Sequence, residues 1–145
     1  MAWTGGCQCG AARYRIDAEP RGANVCHCRM CQKAGGGPFM AFAGATASTL
    51  VWTRGAPKYF ASSDLAERGF CAECGTPLIY RMLGRDWIAV TLGSLDRAAE
   101  VAPRKQYGVE SKLPWTDAIP NLPVRDFTAA FEGRALHSHQ HPDHE

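Results

Sequence analysis

The sequence lacks the features that define several protein classes. No stretch of its 145 residues approaches the about 18 consecutive apolar residues of a membrane-spanning helix. Its 16 Lys and Arg residues are spread along the chain among 14 Asp and Glu residues, without the basic cluster typical of nucleic-acid binding. The first ten residues contain neither a charged start nor an apolar run, so no secretory signal is visible. We therefore expect a cytoplasmic protein that binds neither nucleic acid nor a membrane.

Long helical patterns are also scarce. Residues 11–18 alternate between apolar and polar, which predicts a half-buried strand with Tyr14 and Ile16 inside and Arg13 outside. Short apolar runs at residues 38–45, 50–53, 57–62, 78–83 and 86–93 predict further strands, and residues 105–109 predict one more. Only the residues after Cys28 favour a short helix, which should end at the glycines of residues 35–37. The sequence thus predicts a mainly β protein with little helix.

The distribution of core patterns favours one domain. Residues 1–131 contain all the predicted elements, with no change in composition that would mark a boundary. Residues 132–145 hold four of the five histidines and no core pattern, so we expect a flexible tail. The sequence makes no prediction about the oligomeric state.

Seven cysteines are the most informative residues. In a reducing setting, clustered cysteines are more often metal ligands or catalytic thiols than disulfides, and an odd count argues against a purely disulfide framework. Four of them occur as GGCQCG and FCAECG and three as CHCRMC. The spacing therefore predicts one group of four and one group of three.

The group of four would complete a tetrahedral zinc site with no open position, which predicts a structural role for Cys7, Cys9, Cys71 and Cys74. Closing the loop between Cys9 and Cys71 costs about 3.6 kcal/mol of chain entropy. A structural zinc contributes roughly 10 to 16 kcal/mol, so the metal outweighs this cost. The alternative is four unrelated buried thiols.

The group of three, Cys26, Cys28 and Cys31, leaves one position of a tetrahedral ion open, as in catalytic zinc sites. His27 lies between two ligands, where simultaneous coordination would be strained, so we expect it in a solvent-facing or supporting position. Two alternatives stay open. A distant residue such as a tail histidine closes the shell, or Cys28 and Cys31 act as a redox dithiol.

The segments GGCQCGAARY, VCHCRMCQKAGGGPFMAF, FCAECGTPLIY and VTLGSLD occur in the order found in a known family. Over residues 3–115 the chain resembles the glutathione-dependent formaldehyde-activating enzymes, a family that includes centromere protein V. The resemblance implies a β-tent fold, in which several small coiled antiparallel sheets surround zinc knuckles. It also implies two zinc ions per chain, structural at the group of four and catalytic at the group of three. One departure is Gln106, where many relatives have a histidine.

The activity that the resemblance implies is that of a zinc-dependent carbon–sulfur lyase. A glutathione thiol would add to formaldehyde to give S-hydroxymethylglutathione, or the reverse cleavage would occur. Arg29 and Lys33 are predicted to attract the carboxylates of the glutathione-like thiol, and Phe39 and Trp115 to wall the pocket. The alternatives are solvated charges and ordinary core aromatics.

Two other functions fit the motifs. A non-enzymatic zinc module that binds a protein or a small molecule could use the same fold, because fold does not determine function. A methionine-sulfoxide reductase normally needs a catalytic cysteine outside the zinc set, and none is left after the two groups. We rank the reductase last.

Overall fold

Ten β-strands make up most of the regular structure in residues 1–144, the part of the chain that the computed structural model describes. They are β1 (Trp3–Gly6), β2 (Arg13–Ile16), β3 (Arg21–Cys26), β4 (Met40–Ala45), β5 (Leu50–Arg54), β6 (Lys58–Ser63), β7 (Ala66–Phe70), β8 (Pro77–Met82), β9 (Ile88–Thr91) and β10 (Gln106–Tyr107). One α-helix, α1 (Arg29–Gly35), connects β3 to β4. The other helical segments of the described chain are 3-10 turns. The predicted mainly β class is confirmed.

Seven strands form the larger sheet, in the order β10-β3-β4-β9-β8-β7-β6. Neighbours run antiparallel except for β10, which is parallel to β3. In this pair Gln106 lies opposite Val25, and Tyr107 lies opposite Cys26. The chain after β9 therefore returns residues 106 and 107 to the end of β3, where the CHCRMC motif begins.

The smaller sheet, in the order β1-β2-β5, contributes to the main core. Tyr14 and Ile16 of β2 are fully buried and share one apolar cluster with Leu78 of β8 and Val90 of β9. A second apolar cluster contains Cys31, Met40, Phe42 and Ala89. Since adjacent residues of a strand point to opposite faces, Ala89 and Val90 place the two clusters on opposite sides of the larger sheet.

The prediction that Arg13 faces solvent is wrong. Arg13 is 2% exposed, and its guanidinium donates to both carboxylate oxygens of Asp96, at 2.9 and 2.6 Å. An isolated bridge between Gly5 and Leu95 brings Asp96 beside the smaller sheet, where the Thr4 hydroxyl also donates to it. Burial alone would raise the pKa of Asp96, but the hydrogen bonds from Arg13 and Thr4 outweigh it and lower that pKa. A distant partner thus makes a buried arginine possible.

The predicted strands occur with changed extents, and the larger sheet also contains β7 (Ala66–Phe70), which was not predicted as a strand. Helix α1 ends at Gly35, in the predicted glycine run. The strand predicted at residues 105–109 is limited to Gln106–Tyr107, and a later 3-10 segment covers Pro114–Asn121. No helix among residues 1–144 is both long enough and apolar enough to cross a membrane.

The C-terminal residues lie against the start of the chain at one point. The backbone N–H of His141 donates to the Gln8 carbonyl at 2.7 Å. The flexible tail of residues 132–145 and the single domain of residues 1–131 stay predictions, and residue 145 lies outside the described chain.

Candidate metal centres and the adjoining cavity

The four-sulfur cluster, formed by Cys7, Cys9, Cys71 and Cys74, connects the two sheets. Its first two members lie between β1 and β2, and the other two lie between β7 and β8. All four Sγ atoms lie within 4.8 Å of one another. Cys9 Sγ is 3.6 Å from Cys7 Sγ and 3.9 Å from Cys71 Sγ. Sulfurs bound at about 2.3 Å to a tetrahedral zinc are about 3.8 Å apart, so this cluster fits such an ion.

Short turns hold the second cysteine pair of this cluster. Gly75 has a φ of +76°, which favours glycine, and its N–H donates to the Cys71 carbonyl at 2.9 Å. The Thr76 hydroxyl lies 3.1 Å from Cys74 Sγ and accepts a hydrogen bond from the Gln8 N–H. The two cysteine pairs are therefore linked by hydrogen bonds as well as by their shared sulfur group.

The three-sulfur cluster is formed by Cys26, Cys28 and Cys31. Cys26 ends β3, Cys28 is the N-cap of α1, and Cys31 lies in the first turn of that helix. The Cys31 N–H points at Cys28 Sγ, 3.4 Å away, and the three Sγ atoms lie within 4.8 Å of one another. In the described chain no His, Asp or Glu donor joins this group. Three sulfurs could hold a tetrahedral metal ion and leave one position for another ligand.

The segment after β10 packs directly against the three-sulfur cluster. Gly108 has a φ of +65°, and a Cβ at this position would lie 2.7 Å from the Cys28 backbone nitrogen. Only glycine allows both this conformation and this close approach. The Gln32 side chain of α1 donates to the carbonyls of His27 and Ser111, at 2.7 and 2.9 Å. A segment far along the chain therefore fixes the cysteine loop.

His27 is buried behind the cysteine loop. His27 is 3% exposed, and its Nε2 lies 2.9 Å from the Gln106 amide oxygen. Its ring makes an edge contact with Phe39, and its backbone N–H donates to the Tyr107 carbonyl. Gln106, the departure noted in the sequence, thus contacts His27.

A cavity of about 450 Å³ opens beside the three-sulfur cluster. All three cysteines line it, together with aromatic residues and three cations. The aromatic residues are Phe42, Tyr80, Trp87 and Tyr107, and the cations are Arg21, Arg68 and Lys105. No Asp or Glu of the described chain lines this cavity. Its charge therefore favours an anionic ligand.

Arg68 of β7 is the cavity cation that contacts a sulfur. Arg68 is 8% exposed, and its Nη2 donates to Cys31 Sγ at 3.3 Å. Its Nε donates to the Ser62 hydroxyl at 3.0 Å, and its guanidinium lies 5.1 Å from the centre of the Tyr80 ring. Sequence reasoning missed this residue. The sequence contains one signal for it. Arg68 is two residues after Ala66, so the two side chains lie on the same face of a strand.

The four residues predicted to bind substrate do not line this cavity. Arg29, Lys33 and Trp115 line a different depression around α1, where Arg29 also donates to the Gln32 amide oxygen at 2.6 Å. Phe39 contacts the His27 ring. Their predicted substrate contacts stay predictions, and the residues next to the sulfurs are others.

The thiols of the three-sulfur cluster differ in acidity. Burial opposes ionisation of Cys28, but hydrogen bonds, first that of the Cys31 N–H, outweigh it and lower the pKa of Cys28. Burial raises the pKa of Cys31 to about 12, against the opposing effect of Arg68. Since metal ligands must be thiolates, binding of a divalent metal here would release a proton from Cys31.

Two curated proteins are similar to part of the chain. One, an uncharacterised lyase of Schizosaccharomyces pombe, is 36% identical over 78 residues, which cover 54% of this chain and 56% of that protein. The other, from Halomonas elongata, is 38% identical over 87 residues, which cover 54% of this chain and 55% of that protein. The name of the second provisionally assigns it to the glutathione-dependent formaldehyde-activating enzymes. The chain thus spans about half the length of the curated relatives it matches.

A crystal structure of a Rhodobacter sphaeroides protein has the same fold. It aligns with a TM-score of 0.56 and 21% sequence identity, covering 71% of this chain and 98% of that one. Residues 2–111 match the family model described as glutathione-dependent formaldehyde-activating enzyme. This match covers most of the chain and includes all seven cysteines. The resemblance is therefore confirmed, and the chain belongs to the family of glutathione-dependent formaldehyde-activating enzymes.

Proposed function

We propose that the protein is a zinc-dependent carbon–sulfur lyase that forms or cleaves S-hydroxymethylglutathione or a similar thiol adduct. The observation that carries the proposal is that the three-sulfur cluster lines a cavity to which residues 1–144 contribute three cations and no carboxylate. Family membership and the names of the two relatives support the same class of reaction.

Both cysteine clusters suit zinc. The four-sulfur cluster fills a tetrahedral shell and would be structural, whereas Cys26, Cys28 and Cys31 would hold a catalytic ion. Zinc held by these three sulfurs would supply Lewis acidity that lowers the pKa of a bound thiol. The two roles follow from the number of protein ligands.

The cavity residues would bind and orient the rest of the substrate. Arg21 and Lys105 provide positive charge for carboxylates. Lys105 Nζ lies 3.8 Å from the position that a Cβ of Gly22 would occupy, and Gly22 follows Arg21 directly in the chain. Tyr80 and Trp87, whose rings are 6.2 Å apart, provide apolar walls that exclude water. These residues replace Arg29 and Lys33 as our principal candidates for binding.

The reaction is a simple addition with balanced atoms. The thiol sulfur forms a bond to the carbonyl carbon of formaldehyde, and the thiol proton ends on the carbonyl oxygen as a hydroxyl. The reverse reaction breaks the carbon–sulfur bond and returns the proton to the sulfur. Neither direction needs an oxidant, which suits a protein whose seven cysteines are all free thiols. We further propose a cytoplasmic setting, because both clusters require reduced cysteines.

The test is the zinc content and thiol binding of the parent and of Cys31→Ser. We expect two zinc ions per parent chain, one per mutant chain, and loss of glutathione binding and of turnover in the mutant. Gly93→Ala is a matched control, because a Cβ there meets no atom within 4 Å. Glutathione binding without turnover of the adduct would instead favour a non-enzymatic binding module. A mutant that keeps two zinc ions would contradict the assignment of the site.

A further inference from the structure

Arg68 is a buried cation whose charge is not balanced by a carboxylate. No ion pair of the described chain includes it. Its guanidinium instead contacts Cys31 Sγ, the Ser62 hydroxyl and the ring of Tyr80, and its Nη1 lies 3.8 Å from Met40 Sδ. A buried charge needs compensation, since desolvation is costly. Three thiolates around a divalent metal ion would supply that compensation beside Arg68.

The two clusters differ in this respect. The sulfurs of the four-sulfur cluster accept hydrogen bonds from neutral donors, such as the Ala12 N–H to Cys7 Sγ at 3.2 Å and the Thr76 hydroxyl beside Cys74. In the described chain, Arg68 is the charged side chain that donates to a clustered cysteine. The charged contact is thus found where a position is open to another ligand.

Charge balance indicates what Arg68 would do when a fourth ligand enters the three-sulfur cluster. Three thiolates around a divalent ion carry a net charge of minus one, and a fourth thiolate would bring it to minus two. Within a partly buried site, like charges repel strongly because the effective dielectric is low. One guanidinium in contact with a ligand sulfur cancels one of these charges. It also weakens electron donation from that sulfur to the metal, since hydrogen bonds to ligands tune the ion they hold.

The other cavity cations are placed differently. Arg21 and Lys105 are exposed, so solvent screens their charges. Arg68 lines the cavity and contacts Cys31 at the same time. It is the cation through which the ligand set and the cavity are coupled.

The geometry points to Arg68 as a positioning residue that makes the three-sulfur centre select an anionic fourth ligand over a neutral one. This inference rests on the proposed function in that the three-sulfur cluster must hold a metal ion. It extends that function by assigning the preference for thiolate to one side chain that is not itself a ligand.

The experiment measures ligand selectivity in protein loaded with cobalt(II), which accepts the same ligands as zinc. Changes in the visible spectrum report ligands that enter the three-sulfur site. Three probes are titrated at fixed pH: glutathione, thiocyanate as an anion unrelated to glutathione, and neutral imidazole. The variants are Arg68→Gln and Arg68→Lys. Arg81→Gln is the matched control, since Arg81 pairs with Glu67 and lies over the Tyr59 ring.

We expect Arg68→Gln to bind both anions about 10- to 100-fold more weakly than the parent, because a charged hydrogen-bonding partner is lost. Imidazole affinity should change by less than about threefold, because a neutral ligand gains little from the guanidinium. Arg68→Lys, which keeps the charge, should retain most of the anion affinity, and Arg81→Gln should match the parent.

Each outcome bears on one of the two proposals. Equal affinities in parent and Arg68→Gln, or equal losses for anions and imidazole, would overturn the role of Arg68. A parent that binds thiocyanate but not glutathione would overturn the proposed substrate and leave the role of Arg68 intact. If Arg68→Gln does not fold, the parent still tests the inference, because a parent that binds imidazole as tightly as thiocyanate has no preference for anions and would overturn it.

Discussion

The two cysteine clusters of this protein present the same ligand atom in different surroundings. The four-sulfur cluster lies where the turns of two sheets meet, and neutral hydrogen-bond donors surround its sulfurs. The three-sulfur cluster lies at the end of one strand and the start of one helix, beside a cavity and a buried arginine. Ligand number and neighbouring charge, more than ligand type, thus distinguish the proposed structural centre from the proposed catalytic one.

The largest effect should come from Cys71→Ser. This change breaks the complete cluster that joins segments 62 positions apart in the chain, and structural zinc contributes roughly 10 to 16 kcal/mol to small domains. We expect loss of cooperative folding, measured by circular dichroism and urea denaturation. Cys31→Ser should stay folded in the same assays. The opposite result, a folded Cys71→Ser and an unfolded Cys31→Ser, would exchange the roles of the clusters.

Asp96→Asn should destabilise the protein by about 3 kcal/mol, the usual cost of breaking a buried ion pair. The side chains of Arg13 and Asp96 are 3% and 5% exposed, so the arginine would lose its compensating charge in a buried place. Because neither Arg13 nor Asp96 lines the cavity, anion binding at the three-sulfur cluster should not change. Urea denaturation gives the stability, and a parent-like midpoint would show that the pair contributes little.

The same pair predicts a pH dependence. The pKa of Asp96 is lowered in the folded protein. As the pH falls, the unfolded state therefore binds more protons than the folded state does. The stability difference between the parent and Asp96→Asn should be complete above about pH 5 and shrink as the pH falls below about 4. Paired urea titrations from pH 7 to pH 3 measure it. A difference that grows on acidification would give the wrong sign.

Gly108→Ala should act on the three-sulfur cluster and spare the other. The new Cβ would meet the Cys28 nitrogen at 2.7 Å in a left-handed conformation, which together cost about 2 kcal/mol. Gly84→Ala is the matched control, since Gly84 also has a positive φ, +70°, but its Cβ would meet no atom within 4 Å. Chelator competition should show weaker metal binding at one site in Gly108→Ala only. Equal affinities in both variants would mean that the contact does not matter.

The smallest effect should come from His141→Ala. His141 is partly exposed, and its ring lies near Gly10 and 3.3 Å from Arg54 at the outside of the four-sulfur cluster. Surface contacts of this kind change stability by about 0.5 kcal/mol or less. Zinc content should stay at two ions per chain. A loss above about 1 kcal/mol would show that residues 132–145 support the cluster and would argue against a flexible tail.

The parts of the structure that the sequence predicts well are those set by local spacing. Cys26, Cys28 and Cys31 lie within six consecutive residues. Their grouping therefore requires no knowledge of the fold. Alternation placed Tyr14 and Ile16 in the core for the same reason, because a strand has a fixed period of two. The segments GGCQCG and FCAECG could be paired because clustered thiols in a reducing setting are more often metal ligands than disulfides.

Contacts between distant segments could not be predicted in this way. Arg13 faces inward because Asp96, 83 positions later, compensates its charge. Arg68 reaches Cys31 across 37 positions through the order of strands in the larger sheet. Lys105 enters the cavity because β10 pairs with β3 in parallel. Periodicity reports which face of an element is buried and carries no information about the partner that covers it.

One wall of the cavity is held by the shortest strand in the described part of the protein. β10 has two residues, and the backbone N–H groups of Val25 and His27 donate to the carbonyls of Lys105 and Tyr107 beside it. Edge segments with few hydrogen bonds exchange their amide protons through small local openings. Deuterium uptake at Val25 and His27 therefore reports how often this wall separates from the sheet. That frequency gives an upper limit for the rate at which a bulky product could leave by this route.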